Sequence, residues 1–394
     1  QYKWRGLMKE INKLKFIQQN NLPEPGSRVV VAMSGGVDSS VTAALFNHLG
    51  YEVIGVTMKL YEEKLSKETK NSKTCCAGID VADARKVAKK MGIKHYIIDY
   101  KDRFRESVIN KFVNSYLEGQ TPIPCILCNQ TVKFTDLLDF TKKLKSEILA
   151  TGHYVKRIES GKDINLYQAD DYKKDQSYFL FSTTQEQLKM LRFPLGNFTK
   201  SFIRELAERF GLENFNKPDS QDICFVPDGD YRKFVKKKAP DASKGGIIED
   251  LSGKELGKHK GIVDYTIGQR KGIGIGGIKG KNQNSPLYVL DINRKSNKVI
   301  VGSKNELMKF VIYLEGLNLF VDKNCNKSFQ ALIKIRSGRK LVAAKIEIDK
   351  KNSQNGKVQL SEPELGVAPG QACVFYDKDR RMIGGGWITS SEFK

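Results

Sequence analysis

Ala32-Met-Ser-Gly-Gly-Val-Asp-Ser-Ser40 follows the apolar run Val29–Val31 and precedes Val41–Phe46, a stretch with the composition of a helix. The apolar run predicts a short buried strand. A strand, a glycine-rich turn and a helix in this order direct backbone N–H groups and a helix N-terminus at a bound anion. Because the Gly-Lys-Ser/Thr ending of a Walker A loop is missing, we predict a phosphate-binding loop of a different type.

The side chains of this loop suit a complex of phosphate and metal ion. Gly35 and Gly36 permit close approach of an anion to the backbone, and Ser34 and Ser39 supply hydroxyl donors. Asp38 would repel a phosphate unless a divalent cation lies between the two groups. An ordinary strand-to-helix turn is the alternative, but the whole Ser-Gly-Gly-Val-Asp-Ser string resembles the pyrophosphatase loop of ATP-dependent adenylating enzymes.

Length and charge limit the class of protein. The chain of 394 residues is long enough for two or three domains, each with its own core. Its formal net charge of +22 predicts a polyanionic partner, with a lysine-rich genome as the alternative explanation. No apolar run reaches the roughly 18 residues of a membrane span, so we expect no membrane partner.

The N-terminal segment and the cysteines indicate the compartment. The segment lacks the uninterrupted apolar stretch of a secretory signal, so we expect a bacterial cytoplasmic protein. Its cationic residues leave a mitochondrial location as the alternative. Seven cysteines in such a chain favour catalysis or metal binding over a disulfide framework.

The first half of the chain alternates strands with helices, which predicts an α/β domain with a parallel, Rossmann-like sheet. The predicted strands beyond the first are Tyr51–Met58, Lys94–Asp99 and Glu147–Ala150, and the predicted helices are Asp80–Lys90, Phe104–Leu117 and Val132–Lys145. Ligands of such sheets bind at the carboxyl ends of the strands. We therefore expect Met58 and Thr151–Tyr154 to lie near the phosphate loop.

The second half changes to short alternating runs, which predict an all-β barrel or sandwich. The runs are Leu287–Ile292, Lys298–Val301, Ala331–Ile335, Leu341–Ile348, Lys357–Leu360, Gln371–Tyr376 and Met382–Ile388. We predict an N-terminal extension at 1–24, a catalytic domain at 25–211, a small adapter domain at 212–284 and a β-barrel domain at 285–394. Gly272–Gly277 matches G-x-G-x-x-G, but no helical pattern follows it, so we interpret it as a loop.

Three cysteines have contexts that suggest chemistry. Cys125 and Cys128 form a C-x-x-C pair, and Cys128 directly precedes a predicted helix at Thr131–Phe140, where a helix N-terminus would stabilise its thiolate. Cys224 lies between polar and apolar residues. A zinc site would need a second C-x-x-C, which the chain lacks. We interpret the other four as small buried hydrophobes: Cys75, Cys76, Cys325 and Cys373.

Six segments in a fixed order resemble the tRNA-specific 2-thiouridylases, which place sulfur on the wobble uridine of certain tRNAs. They are the phosphate loop, Cys128–Phe134, Ala150–Tyr154, Lys174–Phe179, Ile223–Phe225 and Thr266–Gly272. The resemblance runs from about Val29 to Ile388. It implies adenylation of the C2 oxygen of uridine 34 with ATP and Mg²⁺, followed by sulfur transfer that yields 2-thiouridine, AMP and pyrophosphate.

The resemblance also implies roles for individual residues. Cys224 would carry a persulfide, and Cys128 would release its sulfur, leaving a Cys128–Cys224 disulfide to be reduced. The implied ATP-binding residues are Ala32, Met33, Ser34, Gly35, Gly36, Val37, Asp38, Ser39, Met58 and Gly152. The implied tRNA contacts are Ile123, Pro124 and Cys125 around the target base, with His153, Lys174, Asp175, Gln176, Arg336, Ser337 and Gln371 elsewhere.

Two positions depart from the family pattern. Many relatives have an aspartate in the place of Cys125, and an Arg-Tyr pair of the β-domain is here Arg336-Ser337. Cys125, Cys128 and Cys224 could together hold a 4Fe-4S cluster that delivers the sulfide, which is the alternative route to the same product. Another adenylating ligase or a non-catalytic RNA-binding protein are further alternatives.

The expected partners follow from the same resemblance. They are tRNAs of the Lys, Glu and Gln type and a persulfide donor, either a cysteine desulfurase or a sulfur-relay protein. We expect the protein to be a monomer.

Overall fold

The computed structural model describes residues 13–61, 78–220, 222–226, 229–275, 286–320 and 328–392. These residues form two compact units. The first unit draws on 1–107, 126–228 and 380–382, and the second on 108–125, 229–379 and 383–394. Several sequence predictions lie outside the described residues, namely those on Cys75, Cys76, Cys325 and the end of the glycine-rich stretch at 276–280.

The secondary structure alternates in the first half and is mostly β in the second. The helices are α1 Lys13–Gln19, α2 Val37–Leu49, α3 Gly78–Met91, α4 Lys101–Phe104, α5 Asn110–Leu117, α6 Pro124–Cys128, α7 Leu137–Lys143, α8 Gln185–Met190, α9 Lys200–Arg209 and α10 Tyr231–Lys238. π-helical turns at Arg105–Ile109 and Asn129–Asp136 join α4 to α5 and α6 to α7.

The strands are β1 Arg28–Ala32, β2 Glu52–Lys59, β3 Lys94–Asp99, β4 Leu149–Ala150, β5 Val155–Ser160, β6 Asp163–Gln168, β7 Leu191–Arg192, β8 Gly246–Glu249, β9 Glu255–His259, β10 Tyr288–Asn293, β11 Lys298–Gly302, β12 Met308–Leu319, β13 Ser328–Lys334, β14 Val342–Ile348, β15 Gly356–Leu365, β16 Ala372–Tyr376 and β17 Arg381–Glu392. No helix among the described residues is long and apolar enough to cross a lipid bilayer.

A parallel sheet with the order β3-β2-β1-β4-β7 forms the centre of the first unit, which confirms the predicted α/β class. Val29, Val30 and Val31 are fully buried in β1, as the apolar run predicts for a strand covered on both faces. The chain order reverses between β1 and β4. Ligands of open α/β sheets bind at such a reversal, so this edge is where a site is expected.

One antiparallel pair of the first unit was not predicted. β5 and β6 form a hairpin in which Ser160 pairs with Asp163. Gly161 occupies the turn with φ of 62°, a conformation that glycine adopts without a steric cost. The charged residues Lys156, Arg157 and Glu159 interrupt the apolar pattern of β5, so alternation alone did not indicate the strand.

The second unit contains a closed barrel with the strand order β12-β15-β14-β13-β16-β17, which confirms the predicted β-barrel. Pairing of β12 with β17 closes it, for example Leu314 with Ile388. Inward residues such as Ile346, Val358 and Phe375 are fully buried. β12 was absent from the predicted strands, and in the structure its pairing with β17 shifts register and Gly316 adopts a φ of 60°.

A smaller sheet of the second unit has the order β10-β11-β8-β9. Its core includes Ile248 of β8 and Val299 and Val301 of β11. The alternating pattern of β10 and β11 resembles that of the barrel strands, yet β11 pairs in parallel with β8 of the preceding segment. The sequence pattern identifies the strands but not the neighbouring strands with which they pair.

Candidate active site

The phosphate loop leaves β1 in a fixed direction. The Met33 N–H donates to the carbonyl of Val56 at 2.8 Å, and the Thr57 hydroxyl donates to the carbonyl of Met33 at 2.8 Å. Gly35 has a φ of 74°, and a Cβ at this position would collide with the carbonyl oxygen of Asp80. The loop therefore requires glycine here for both its conformation and its packing.

Serine hydroxyls hold the loop onto the start of α2. Ser39 Oγ accepts from the Ser34 N–H at 3.1 Å and donates to the Gly36 carbonyl at 3.2 Å. Ser40 Oγ donates to the same carbonyl at 2.9 Å. Because α2 begins at Val37, its first N–H groups are left without intrahelical partners and suit an anion. The serines thus shape the site in addition to any bond with a phosphate.

The loop after β4 packs directly on the phosphate loop, as expected from strand order. A Cβ on Gly152 would lie 2.9 Å from the carbonyl carbon of Asp38 and 2.9 Å from the nitrogen of Ser39. Any side chain at residue 152 would push the two loops apart. Met58 is buried near the end of β2, the strand adjacent to β1.

Asp38 forms an ion pair that sequence reasoning missed. Lys200 Nζ, on the first residue of α9, donates to both carboxylate oxygens of Asp38 at 2.7 and 2.8 Å. The Tyr154 hydroxyl donates to Asp38 Oδ1 at 2.8 Å. The same Lys200 Nζ lies 2.9 Å from Asp219 Oδ1, and its side chain is only 11% exposed. Lys200 thus bridges two carboxylates beside the phosphate loop.

Further cations surround Asp219. Lys174 Nζ lies 2.7 Å from Asp219 Oδ2, and Arg204 Nη2 lies 2.9 Å from Oδ1. Burial alone would raise the pKa of Asp219, but hydrogen bonds from Lys174 and Lys200 outweigh it and lower the pKa to about 2. The carboxylate is therefore ionised at neutral pH. We call this group the Asp38 cluster: Asp38, Lys200, Asp219, Lys174 and Arg204.

The Asp38 cluster contains three cationic and two anionic side chains. Its excess positive charge lies beside backbone N–H groups that already favour an anion. A cluster of this composition suits a polyphosphate, since its lysines and arginine can neutralise charge that the loop backbone alone cannot.

A second anchor holds the loop from the other side. Asn214 Nδ2 donates to the Gly35 carbonyl at 3.0 Å. Lys217 Nζ donates to the same carbonyl at 3.3 Å and forms ion pairs with Asp80 and Asp83 of α3. Burial lowers the pKa of Lys217, but its two carboxylate partners raise it overall. This segment precedes Cys224, one of the predicted reactive cysteines, in the chain.

The prediction that Cys128 precedes a helix N-terminus is wrong. Helical backbone begins at Pro124 and continues through Cys128 and the π-helical turn to Lys143. Proline suits the first position of a helix, because its missing N–H would have no partner there. Cys128 is buried with 6% of its surface exposed, whereas Cys125 in the first turn is exposed.

The turn that carries Cys224 packs on the helical stretch that begins at α4. Cys224 is half-buried in a turn, and the neighbouring Phe225 contacts Phe104 edge-to-face at 5.6 Å between ring centres. Ser107, one turn after Phe104, accepts a hydrogen bond from the Thr131 hydroxyl at 3.4 Å. The turn of Cys224 and the π-helical turn that follows Cys128 thus each contact the segment that contains Phe104 and Ser107.

His153 lies in an aromatic environment. Its ring contacts those of Phe134 and Phe193 at 6.0 and 6.1 Å between centres, and Nδ1 lies 2.8 Å from the Thr151 hydroxyl. Burial lowers the pKa of His153 to about 3, with a smaller contribution from the charge of Lys133. The imidazole is neutral at physiological pH and would meet RNA as a hydrogen-bonding group, not as a cation.

Two other predicted tRNA contacts have structural partners in the first unit. Asp175 is buried and accepts hydrogen bonds from Gln168 Nε2 at 3.0 Å and the Ser177 hydroxyl at 2.9 Å. Gln176 Oε1 accepts from the Tyr154 N–H at 3.0 Å. Asp175 and Gln176 therefore position the Lys174 segment against the loop that follows β4.

In the second unit, Gln371 anchors the segment that leads to Cys125. Its Nε2 donates to the carbonyl of Thr121 at 2.7 Å, and the Thr121 N–H donates to the carbonyl of Pro369 at 2.8 Å. Ile123 is half-buried and Pro124 is buried just after this anchor. Gln371 thus fixes the approach to α6.

Arg336 and Ser337 lie at the end of β13. Arg336 Nη2 donates to the carbonyl of Gly366 at 2.8 Å, and the guanidinium is half-buried. Ser337 is exposed. This end of the barrel continues into exposed Arg339 and Lys340, a basic surface suited to phosphates.

No group of three or more His, Cys, Asp and Glu residues within the described ranges is arranged to hold a metal ion. Cys125, Cys128 and Cys224 therefore do not form a ligand set for a 4Fe-4S cluster in this structure. Mg²⁺ usually needs only one or two carboxylates together with phosphate oxygens and water, and Asp38 beside the phosphate loop meets that need.

Three family models match consecutive parts of the chain. They are the tRNA methyl transferase HUP domain at residues 27–228, the tRNA methyl transferase PRC-barrel domain at 232–303 and the Aminomethyltransferase beta-barrel domain at 310–388.

Curated relatives match nearly the full chain. The tRNA-specific 2-thiouridylases MnmA of Rickettsia canadensis (strain McKiel) and Rickettsia massiliae (strain Mtu5) are each 49% identical over 370 residues, covering 94% of this chain and 98% of the relative. Among solved structures, the U34-tRNA thiolase NcsA from Methanococcus maripaludis with its 4Fe-4S cluster aligns over 60% of this chain and 76% of that chain. Its 18% identity and TM-score of 0.37 are too low to bear on the chemistry.

We expect the change Gly35→Ala to lower ATP affinity at least about tenfold. The added methyl group collides with Asp80, so the loop backbone has to move, on top of an αL cost of about 1–2 kcal/mol. Gly26→Ala is the matched control, because Gly26 has a φ of 95° but no atom within 4 Å of the place that the methyl group would occupy. Calorimetric titration with ATP measures both, and equal affinities in the two variants would contradict the assigned loop.

We expect acid to destabilise the first unit through His153. Its pKa is about 3 in the folded protein and near 6.5 when unfolded, so the unfolded chain binds more protons between these values. Stability should therefore fall as pH drops below about 6.5, by less than about 1 kcal/mol per pH unit for a partly exposed ring.

Thermal unfolding of His153→Asn between pH 6.5 and 4.5 tests this expectation. The melting temperature of the variant should depend on pH more weakly than that of the wild type, by about 2–4 °C per kcal/mol. The pKa of His48 is also lowered by burial, but this residue is exposed at the surface, so His48→Asn should weaken the pH dependence less than His153→Asn. Identical slopes in His153→Asn and the wild type would remove His153 as the titrating group.

Proposed function

The chain belongs to the family of tRNA-specific 2-thiouridylases, and on this basis we propose which of its residues carry out the reaction. The enzyme is an ATP-dependent sulfurtransferase that replaces the C2 oxygen of a tRNA uridine with sulfur. The observation that carries the residue assignment is the Asp38 cluster, which surrounds a phosphate loop in the same unit that holds Cys128 and Cys224.

ATP serves to make the C2 oxygen a leaving group. Attack of this oxygen on the α-phosphate forms an adenylated uridine and releases pyrophosphate, and AMP later departs with the oxygen. The N–H groups of the loop and of α2 would bind the phosphates, with Met58 and Gly152 bordering the nucleotide. Asp38 would hold Mg²⁺ together with phosphate oxygens and water.

Lys200 would neutralise charge that develops on pyrophosphate. In the structure it pairs with Asp38 and Asp219. With Asp38 as a ligand for Mg²⁺, the ammonium group of Lys200 would keep its contact with Asp219 and could direct one donor towards the phosphates. Lys174 and Arg204 keep Asp219 in place, so Lys200 is presented from a fixed support.

Sulfur transfer needs two thiols. Cys224 accepts a persulfide sulfur, and the Cys128 thiolate attacks the inner sulfur of Cys224–S–SH. The Cys128–Cys224 disulfide forms and hydrosulfide is released, which attacks C2 and expels AMP. The burial of Cys128 and the half-burial of Cys224 support this assignment, because released hydrosulfide must be kept from bulk water.

The cluster-dependent route is the less favoured alternative. The three cysteines do not form a ligand set among the described residues, and the curated relatives are not named for a cluster. We therefore assign Cys128 and Cys224 as the reacting thiols and propose a mechanism without iron.

We propose that the basic surfaces bind tRNA. Lys174 lies near the phosphate loop, and Arg336 and Ser337 lie at the end of β13, so both units offer contacts. The wobble base would leave the anticodon stack to enter a pocket lined by Ile123, Pro124 and Cys125. His153 would contribute a neutral hydrogen bond, whereas Asp175, Gln176 and Gln371 would position these groups.

Finer features belong to the same proposal. We propose tRNAs of the Lys, Glu and Gln type as substrates, a cysteine desulfurase or sulfur-relay protein as donor, a monomeric enzyme and a cytoplasmic location. We assign the ATP chemistry to residues 25–211 and an adapter to residues 212–284, which β10 and β11 extend because they pair with its sheet, and the closed barrel occupies the rest of the domain predicted at 285–394.

We expect Cys224→Ala and Cys128→Ala each to lower 2-thiouridine formation more than about 100-fold, because each removes a nucleophile of the transfer. Mass spectrometry of nucleosides from tRNA incubated with enzyme, ATP, Mg²⁺ and a persulfide donor measures the product. Both variants should keep ATP affinity. Cys373→Ala is the control, since Cys373 is buried in the barrel core. Normal product from Cys224→Ala would overturn the assignment.

We expect Lys200→Met to lower tRNA-dependent pyrophosphate release at least about 100-fold, with a smaller effect on tRNA binding. Methionine keeps the length of the side chain but removes the charge that stabilises the departing pyrophosphate. Lys189→Met is the control, because Lys189 is exposed on α8 and forms a surface ion pair with Glu186. Pyrophosphate release at the wild-type rate in Lys200→Met would show that Lys200 only holds Asp38.

A further inference from the structure

Helix α6 carries two cysteines with opposite exposure. Cys125 lies in the first turn and is exposed to solvent, whereas Cys128 is one turn later and buried. Both belong to the same five-residue helix, so the helix itself sets their separation. The proposed sulfur transfer uses the thiols of Cys128 and Cys224, whereas Cys125 is so far assigned only to the lining of the base pocket.

The helical spacing brings these two thiols within reach of each other. Residues three apart in a helix have Cβ atoms about 5–6 Å apart, and helical Cα–Cβ bonds tilt towards the N-terminus. The side chain of Cys128 therefore leans towards the turn that carries Cys125. A disulfide tolerates Cα separations of about 4.4–6.8 Å, and a small adjustment at the helix start would bring the sulfurs together.

Burial creates a difficulty after each turnover. The proposed reaction leaves a disulfide between Cys128, which is 6% exposed, and the half-buried Cys224. Disulfide exchange requires an attacking thiolate to approach one sulfur along the axis of the S–S bond, so access limits its rate. The protein around Cys128 shields this disulfide from a reductant in solution. The thiol of Cys125 is already next to it in the first turn of α6 and does not have to pass this shield.

We propose that Cys125 is the resolving thiol of the enzyme, an inference that rests on the proposed function. The Cys125 thiolate attacks Sγ of Cys128, the Cys128–Cys224 bond breaks, and Cys224 departs as a thiolate that takes up the proton lost by Cys125. The disulfide moves to Cys125–Cys128 with no net change in oxidation state.

The second half of this step regenerates the enzyme. A dithiol reductant attacks the exposed Sγ of Cys125 and forms a mixed disulfide, and its second thiol then releases Cys125. Two electrons and two protons pass to the enzyme, and the reductant leaves as a disulfide. Cys224 is available for a new persulfide before reduction is complete, because the oxidised pair no longer includes it.

Disulfide mapping after one turnover tests the proposal. Reduced, persulfide-loaded enzyme is mixed with ATP, Mg²⁺ and tRNA, quenched with an alkylating agent, and digested for mass spectrometry. We expect wild-type enzyme to show a Cys125–Cys128 disulfide with Cys224 alkylated. Cys125→Ser should retain Cys128–Cys224, and a dithiol protein reductant should reduce it at least tenfold more slowly than the wild-type disulfide.

The controls separate this inference from the proposed function. Cys373→Ala should match the wild type, because Cys373 lies in the barrel core. Only Cys128–Cys224 in wild-type enzyme, reduced at the same rate as in Cys125→Ser, would overturn the resolving role and leave the sulfur-transfer assignment intact. Product formation without any disulfide that involves Cys224 or Cys128 would instead overturn the assignment on which the inference rests. Rates are normalised to the disulfide formed, so an effect of residue 125 on base binding does not alter the result.

Discussion

The ion pair between Asp38 and Lys200 is the interaction on which the site depends. It joins the phosphate loop after β1 to the first residue of α9, and Asp219 extends it towards the segment that carries Cys224. A largely buried lysine between two carboxylates costs desolvation energy, which makes such a pair a poor source of stability. Its value is positional: the pair holds Lys200 next to a site for a polyanion, and hydrogen bonds from Lys174 and Lys200 keep the pKa of the neighbouring Asp219 low.

Backbone contacts impose a second constraint on the same loop. Gly35 meets Asp80, and Gly152 meets Asp38 and Ser39, so neither loop has room for a side chain. The loop is therefore fixed by three independent elements before any nucleotide binds: α3, the loop after β4 and α9. A preorganised loop needs little reorganisation when charge develops on the phosphates, and this is the main source of catalysis in sites that act by electrostatics.

Sequence reasoning succeeded where local patterns decide the structure. The apolar run of β1, the loop composition and the alternation of the barrel strands predicted their elements, because burial enforces those patterns. The sequence did not predict contacts that depend on a residue far away in the chain. Lys200 is one lysine among many and meets Asp38 across 162 positions of the chain. Cys128 was placed before a helix because the run after Thr131 looked helical, whereas Pro124 begins the helix a full turn earlier than Cys128.

Because α6 begins at Pro124, its two cysteines differ in exposure and therefore in the roles that they can take. A thiol at a helix N-terminus gains from the dipole but is open to water, and a thiol one turn later is shielded. Sulfur transfer to an activated base requires shielding, because water would hydrolyse the adenylate and carry the hydrosulfide away. Reduction of the disulfide requires an exposed sulfur, because the reductant comes from solution. With Cys128 buried and Cys125 exposed on α6, one turn of helix satisfies both requirements, and neither residue could satisfy them alone.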